Sequence, residues 1–255
     1  MAARPGRGVA AAGPCSDVVG GTADPCCEWL RDRHARILIF AKAPIPGQVK
    51  TRLIPTLGAA GAAELASELL EGLVRRLAPA RLAPLELWCA PDRAHPLFRR
   101  LAESAGVELH VQRGEDLGER LESAAADALT RANAVLLVGA DIPELDDAYC
   151  ARALASLESA ETVMGPAEDG GYVLLGLKAP APALFRHMPW GSERVGRITR
   201  QRIERLGWRC SVLPALWDLD RPADLLRYRR LDTECVDGEP PPGSGRVPVR
   251  GQDDA

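Results

Sequence analysis

An uninterrupted apolar run, Ile37-Leu38-Ile39-Phe40, leads into a loop that carries cations and no acids, and this pairing restricts the fold more than any other stretch. A run with no polar interruption suits a strand covered on both faces, as in a parallel sheet flanked by helices, better than a half-exposed edge strand. Beyond it, Lys42, Lys50 and Arg52 lie among Ala, Pro and Gly, and no Asp or Glu occurs between Arg36 and Glu64, in a chain of formal net charge -3. Pro44, Pro46 and Gly47 disfavour helix and permit a tight loop whose backbone N–H groups can turn toward an anion such as phosphate. If the chain is extended at Lys50 and Arg52, their two-residue spacing points both cations the same way. Gly47, Lys50 and Thr51 lack the contiguous Gly-Lys-Ser/Thr of a Walker loop, which excludes that motif.

With 255 residues and 46% hydrophobic composition, the chain can bury one substantial core. The expected domain covers 36–231. The flanking segments, 1–35 and 232–255, mix Gly, Ala, Pro and charged residues without periodicity and are expected to be disordered tails. No secretion-signal pattern and no apolar run of transmembrane length is visible, so the expectation is a cytoplasmic protein without membrane contact. The cysteines are odd in number, 7, and Cys89, Cys150 and Cys210 are widely spaced, which argues against a disulfide framework; Cys26 and Cys27 fall in the N-terminal tail. Near-balanced charge and 4% aromatic residues argue against a nucleic-acid surface.

Along the chain, periodicity alternates between strand and helix. Leu65, Leu69, Leu73 and Leu77 form a helical stripe; Leu85–Cys89 reads as a strand, Pro96–Ala105 as a helix and Val107–Gln112 as a strand. Gly114–Arg120 opens a further helix toward Leu129, its acids suited to the positive end of the helix dipole. Ala134–Gly139 is a second fully apolar strand, followed by a helix from about Asp146 to Ser159, strands at Thr162–Gly165 and Tyr172–Leu177, and a helix after Pro189-Trp190-Gly191-Ser192. A late strand at Cys210–Leu213 and a final helix after Asp220, through Leu226, complete the pattern. The expected architecture is a three-layer α/β/α sandwich with a mostly parallel sheet and right-handed crossovers.

Ligands in such sheets bind beyond the carboxyl ends of the strands, where Asp141 would stand. The basic loop, Asp141 and the pair Asp218 and Asp220 would then share one edge. A carboxylate beside a polyphosphate is repelled by about 4 kcal/mol per charge pair at ~4 Å and an effective dielectric near 20. A hard divalent cation, Mg²⁺ or Mn²⁺, offsets that by bridging carboxylate and phosphate oxygens. Each residue also has a plainer role open to it. Asp141 can be a turn residue, Asp220 can cap the helix that Pro222 opens, and Asp218 can pair with an arginine. Asp169 with Gly170 and Gly171 can set a tight turn or let a substrate reach the backbone. Trp190 can be core, and Ser192 a helix cap.

The blocks KAPIPGQVKTRL, GADIPEL, GPAEDGGYVLLGL, PWGSERV and WDLDRPADL, in this order, resemble a bacterial family of GT-A-like transferases with the nucleotide-diphospho-sugar transferase fold, of the type associated with arsenosugar biosynthesis or radical-SAM and selenodomain genes. The likeness implies that Lys42, Gly47, Lys50 and Arg52 surround nucleotide phosphates and that Asp141 and Asp220 hold a metal. It also implies that Gly170, Gly171, Tyr172, Trp190 and Ser192 border an acceptor pocket. Asp169 is the candidate base and Asp218 a possible further ligand. Glycosyltransferases of this fold carry Asp-x-Asp after the central strand, where this chain supplies Asp141 alone; nucleotidylyltransferases open on a Gly-rich loop, where APIPGQVKTRL has one glycine. Three readings stay open: glycosyl transfer from a nucleotide sugar to a small-molecule acceptor, nucleotidyl transfer from an NTP to a phosphorylated acceptor with pyrophosphate release, and a catalytically idle nucleotide-binding scaffold.

Overall fold

Strand β1 (Ala35–Lys42) lies in the interior of a seven-stranded sheet, with a strand paired on each side, as its apolar sequence demands. The computed structural model describes residues 35–236, with side chains through 230. The expected tails, and Cys26 and Cys27 with them, lie outside the described residues, except that β1 begins at Ala35 and the last helix, α7 (Pro222–Val236), continues past the boundary expected at Leu231. The other elements are β2 (Leu85–Ala90), β3 (Glu108–Val111), β4 (Ala134–Gly139), β5 (Thr162–Pro166), β6 (Tyr172–Leu177) and β7 (Cys210–Val212). The helices are α1 (Ile54–Leu77), α2 (Pro96–Ala105), α3 (Leu117–Leu129), α4 (Asp147–Ser156), the single turn α5 (Pro182–Phe185) and α6 (Val195–Arg205).

The sheet order is β3-β2-β1-β4-β6-β5-β7. β1 pairs in parallel with β2 and β4, and β5 with β7, while β6 runs antiparallel between β4 and β5. The expected α/β class and mostly parallel sheet are therefore observed, with one reversed strand. That reversal follows from the short Pro166–Gly171 connection, which can return the chain only as a hairpin. Side chains alternate across β1: Leu38 joins Leu137, Leu121 and Phe185 in one core cluster, and Ile37 and Ile39 are buried on the other face.

Helix α1 places Leu65, Leu69, Leu73 and Leu77 in the core, as their spacing predicts. Gly58, at φ 71, breaks its first turns. The stretch Thr51–Ala80 is long and apolar enough by composition to cross a bilayer, with a mean hydropathy of 1.2, which corrects the expectation that no such run exists; its leucine stripe is that of a helix packed on a sheet. Cys89, Cys150 and Cys210 are free thiols, and burial pushes Cys89 and Cys150 up to about 12.

At the N-terminal ends of β2 and β3 a buried carboxylate organises the sheet. Glu86 is fully buried, accepts hydrogen bonds from Arg36 (2.8 Å), Arg131 (3.0 Å) and Trp88 Nε1 (3.0 Å), and lies under the stacked Trp88 and His110 rings. A buried charge is tolerable only when paired and hydrogen-bonded in this way. Glu86→Ala is expected to cost about 3 kcal/mol, the lower end of the penalty for removing one member of a buried ion pair, because both arginines reach solvent. Urea denaturation of this variant beside Arg131→Ala, which should lose far less, checks the assignment.

Candidate functional site

The loop after β1 is built by turn chemistry. Ala43 N–H donates to the Ala90 carbonyl (2.7 Å), holding the loop to the end of β2, and Gln48 N–H donates to the Ile45 carbonyl (3.0 Å). Pro46 and Gly47 occupy the centre of that turn, with Gly47 at φ 82, the residue order a type II turn requires. Gly47 thus has a conformational duty whatever it binds. Lys50 follows in the left-handed region (φ 47, ψ 40), and Thr51–Leu53 form a 3₁₀ turn. The extended conformation expected at Lys50 and Arg52 is therefore not adopted. The chain turns because Leu53 enters the core beside Leu65, Leu69, Trp217 and Leu219.

Both cations nevertheless reach the same partner segment. The Lys50 side chain is 3% exposed, and its Nζ lies 2.9 Å from Asp141 Oδ2 while donating to the Leu219 carbonyl. Leu219 N–H donates to the Asp141 carbonyl (2.9 Å), and Arg52 pairs with Asp220. Three stretches far apart in sequence, the first loop, the end of β4 and the Trp217–Asp220 segment, are joined through one ammonium group.

The late segment is delivered by the sheet. Beyond β7, Leu216 bridges in parallel to Ala167, so residues 216–220 continue toward the carboxyl ends of β4 and β5. Burial alternates: Trp217 and Leu219 are buried, while Asp218 and Asp220 are partly exposed. Asp220 does not cap α7. Asp224 does, its carboxylate accepting from Asp220 N–H (3.1 Å) and Arg221 N–H (2.7 Å).

Asp218 lines a cavity of about 310 Å³ together with Asp141 and Asp169. Burial, and then the negative charges of Asp169 and Asp220, hold the Asp218 carboxyl above the usual carboxylate range, opposed by Lys50. Asp169 Oδ1 accepts from Gly171 N–H (2.8 Å), an Asx turn within the β5–β6 hairpin. Gly170 stands at φ 91, and a Cβ there would meet the Glu193 carbonyl oxygen at 2.2 Å; Gly196 N–H donates to the Gly170 carbonyl (2.9 Å). The glycine pair thus admits the first turn of α6. Tyr172 and Trp190 meet edge to face at 6.3 Å and line the same cavity, although both also pack on the core. Ser192 lines it too, but its hydroxyl donates to the Pro189 carbonyl (2.8 Å) and does not cap α6.

Lys42 is exposed and lines a separate cavity of about 340 Å³ with Gln48, Gln112 and Arg120, at the carboxyl ends of β1, β2 and β3. Sequence reasoning singled out none of those three partners. Gln112 follows β3 and obeys the strand rule that locates Asp141, whereas Arg120 stands in the first turns of α3, where the sequence signals only acids suited to the helix dipole; one of those acids is the cap, Asp116 accepting from Glu119 N–H (2.8 Å). Among the described residues, the one group of three side chains placed closely enough to hold a metal is Glu86, Glu108 and His110, at the opposite edge of the sheet and already neutralised by Arg36 and Arg131. Asp141, Asp169, Asp218 and Asp220 form no such closed set, so an ion here would need oxygens from outside the protein to complete its shell. That suits Mg²⁺ or Mn²⁺, which keep phosphate and water ligands. The donor chemistry fits, because Asp141 and Asp218 face one cavity and Lys50 already stands as a cation on Asp141.

Residues 73–192 match DUF2064, described as an uncharacterized protein conserved in bacteria. No curated protein matches the sequence. A proposed nucleotide-diphospho-sugar transferase from Desulfovibrio desulfuricans G20 is similar over 78% of this chain and 88% of its own, with 32% identity and a TM-score of 0.71. Two more distant structures share the fold. The 4-diphosphocytidyl-2C-methyl-D-erythritol synthase of Anaerococcus prevotii DSM 20548 has 10% identity and a TM-score of 0.54 over 81% of this chain and 99% of that one. The glucosyl-3-phosphoglycerate synthase of Mycobacterium tuberculosis, solved with Mn²⁺, UDP and glucosyl-3-phosphoglycerate, has 13% identity and a TM-score of 0.51 over 91% and 90%.

Gly170→Ala should lower stability by about 2 kcal/mol or more, since left-handed strain alone costs about 1–3 kcal/mol and the Glu193 backbone must also move. Asp218→Asn should instead raise the melting temperature of the ligand-free protein, because it removes a like charge beside Asp169 and Asp220. Thermal denaturation of both variants checks these opposite signs.

Proposed function

The chain belongs to the GT-A-like nucleotide-diphospho-sugar transferase family, and from that membership we propose that it transfers a glycosyl group from a nucleotide sugar to a small-molecule hydroxyl with the help of a divalent metal. The observation that carries this reading is the meeting of Lys50 with Asp141 at a cavity that Asp218 also lines. Asp141, aided by Asp218, would hold Mg²⁺ or Mn²⁺. Asp220, committed to Arg52, is the weaker candidate for the second ligand. The ion, when bound, neutralises charge on the leaving diphosphate.

The protein's own residues supply the rest. Lys50 and Arg52 bring fixed positive charge to the same edge, and Lys42 extends it toward the neighbouring cavity, where Gln48, Gln112 and Arg120 add further polar contacts. At the reacting centre the acceptor oxygen bonds to the anomeric carbon, the bond from that carbon to the diphosphate oxygen breaks, and the leaving group keeps the electron pair. Asp169 takes the acceptor proton, which its unbonded carboxylate oxygen can do while the other holds the Gly171 turn. Gly171, Tyr172, Trp190 and Ser192 border the acceptor, while Gly170 packs against the Glu193 backbone.

A second reading, nucleotidyl transfer with attack at the α-phosphorus, draws on the single carboxylate after β4 and the late acidic segment. Release of nucleoside diphosphate from nucleotide sugars supports glycosyl transfer; release of pyrophosphate from an NTP supports the alternative. Calorimetric titration with nucleoside diphosphates should show at least tenfold tighter binding with Mn²⁺ than without, and Asp141→Ala should erase that difference. Equal affinity without metal, together with no turnover, would instead describe a nucleotide-binding scaffold.

A further inference from the structure

The cavity bounded by Asp141, Asp169 and Asp218 carries information about the acceptor's charge that the fold does not. Its apolar surface comes from the β-sheet, α3 and the two aromatic residues, including Phe40, Leu121, Leu137, Tyr172 and Trp190. Among the described residues its charged lining is wholly acidic: Asp141, Asp169 and Asp218 face it, and no described Lys, Arg or His does. Lys50, the cation paired with Asp141, is committed there and to the Leu219 carbonyl, so it forms no ion pair with Asp169 or Asp218. A divalent ion arriving with a donor does not change this balance toward an anionic acceptor, because the donor's diphosphate brings matching negative charge.

From this we infer that the cavity takes an uncharged or cationic hydroxyl compound with an apolar face, and rejects phosphorylated or carboxylated ones. Hydroxyl groups would donate to the carboxylates, which are acceptors only, and the apolar face would lie against the Tyr172 and Trp190 rings. A volume of about 310 Å³ lies at the low end of small-molecule sites, enough for one ring-sized unit. This inference rests on the transferase reading above for its role as acceptor site, and on the lining alone for its charge preference. It separates this chain from any relative that uses an acidic acceptor, since such an enzyme needs cations where this cavity has aspartates.

The test uses a matched pair of probes, phenyl β-D-glucopyranoside and its 6-phosphate, titrated into the full chain by saturation-transfer NMR, with and without Mn²⁺ and UDP. The neutral glucoside is expected to bind at least tenfold more tightly than the phosphate in both conditions. Trp190→Ala should weaken it severalfold, and the Asp169→Asn/Asp218→Asn double variant, equal in shape, should largely abolish the discrimination. Equal or tighter binding of the phosphate, no detectable binding of either probe, or a discrimination unchanged in the double variant would overturn the inference. Metal-dependent nucleotide binding on the same samples separates the two claims. If it is present while the phosphate is preferred, the charge assignment fails and the transferase reading stands; if it is absent while the glucoside is preferred, the reverse holds.

Discussion

A single buried ammonium group, that of Lys50, joins the parts on which everything else depends. With a side chain 3% exposed, it needs partners, and it finds them in Asp141 at the end of β4 and the Leu219 carbonyl of the late segment. Losing either partner would leave a desolvated charge, so the arrangement holds three distant stretches together whether or not any ligand is present. The cost is local: Lys50 sits in a left-handed backbone conformation that non-glycine residues seldom adopt, a kind of strain that recurs at functional sites.

The sheet explains why those stretches can meet. β1, β4, β5 and β7 point the same way, and β6 is the single reversed strand, so the loop after β1, Asp141, the Asp169 hairpin and the Asp218 segment all emerge at one edge. The opposite edge carries the other charged cluster, built on Glu86, whose arginine partners make it a structural brace. The division agrees with the general behaviour of open α/β sheets, in which stability is held at one end and ligands at the other.

Most of the framework was legible in the residues. The apolar runs at Ile37–Phe40 and Ala134–Gly139, and the four-residue spacing of leucines in α1, name their elements because burial on two faces or one leaves distinct patterns. The short α5 and the extension of α7 were not legible, since a single turn has no period and helix ends are set by caps. Within the site, the convergence of Lys50 and Asp141 followed from strand-end logic, but the route did not. The expected extended chain is a left-handed residue and a 3₁₀ turn, dictated by Leu53 entering the core. Whether Asp218 or Asp220 faces the cavity depended on the burial of Trp217 and Leu219 and on Asp224 taking the cap, and neither is a local property of the WDLD sequence. Gln112 and Arg120 escaped notice because each also serves its own element: Gln112 Nε2 donates to the Trp88 carbonyl and Arg120 Nε to the Gly114 carbonyl.

The most direct test of the central claim is the position of a metal ion. Crystals grown with Mn²⁺ and a nucleoside diphosphate, and measured for the anomalous signal of manganese, should place the ion on Asp141, with Asp218 as the nearer second carboxylate and diphosphate oxygens completing its shell. Manganese found only at Glu86, Glu108 and His110, with neither metal nor diphosphate beside Asp141, would contradict the account.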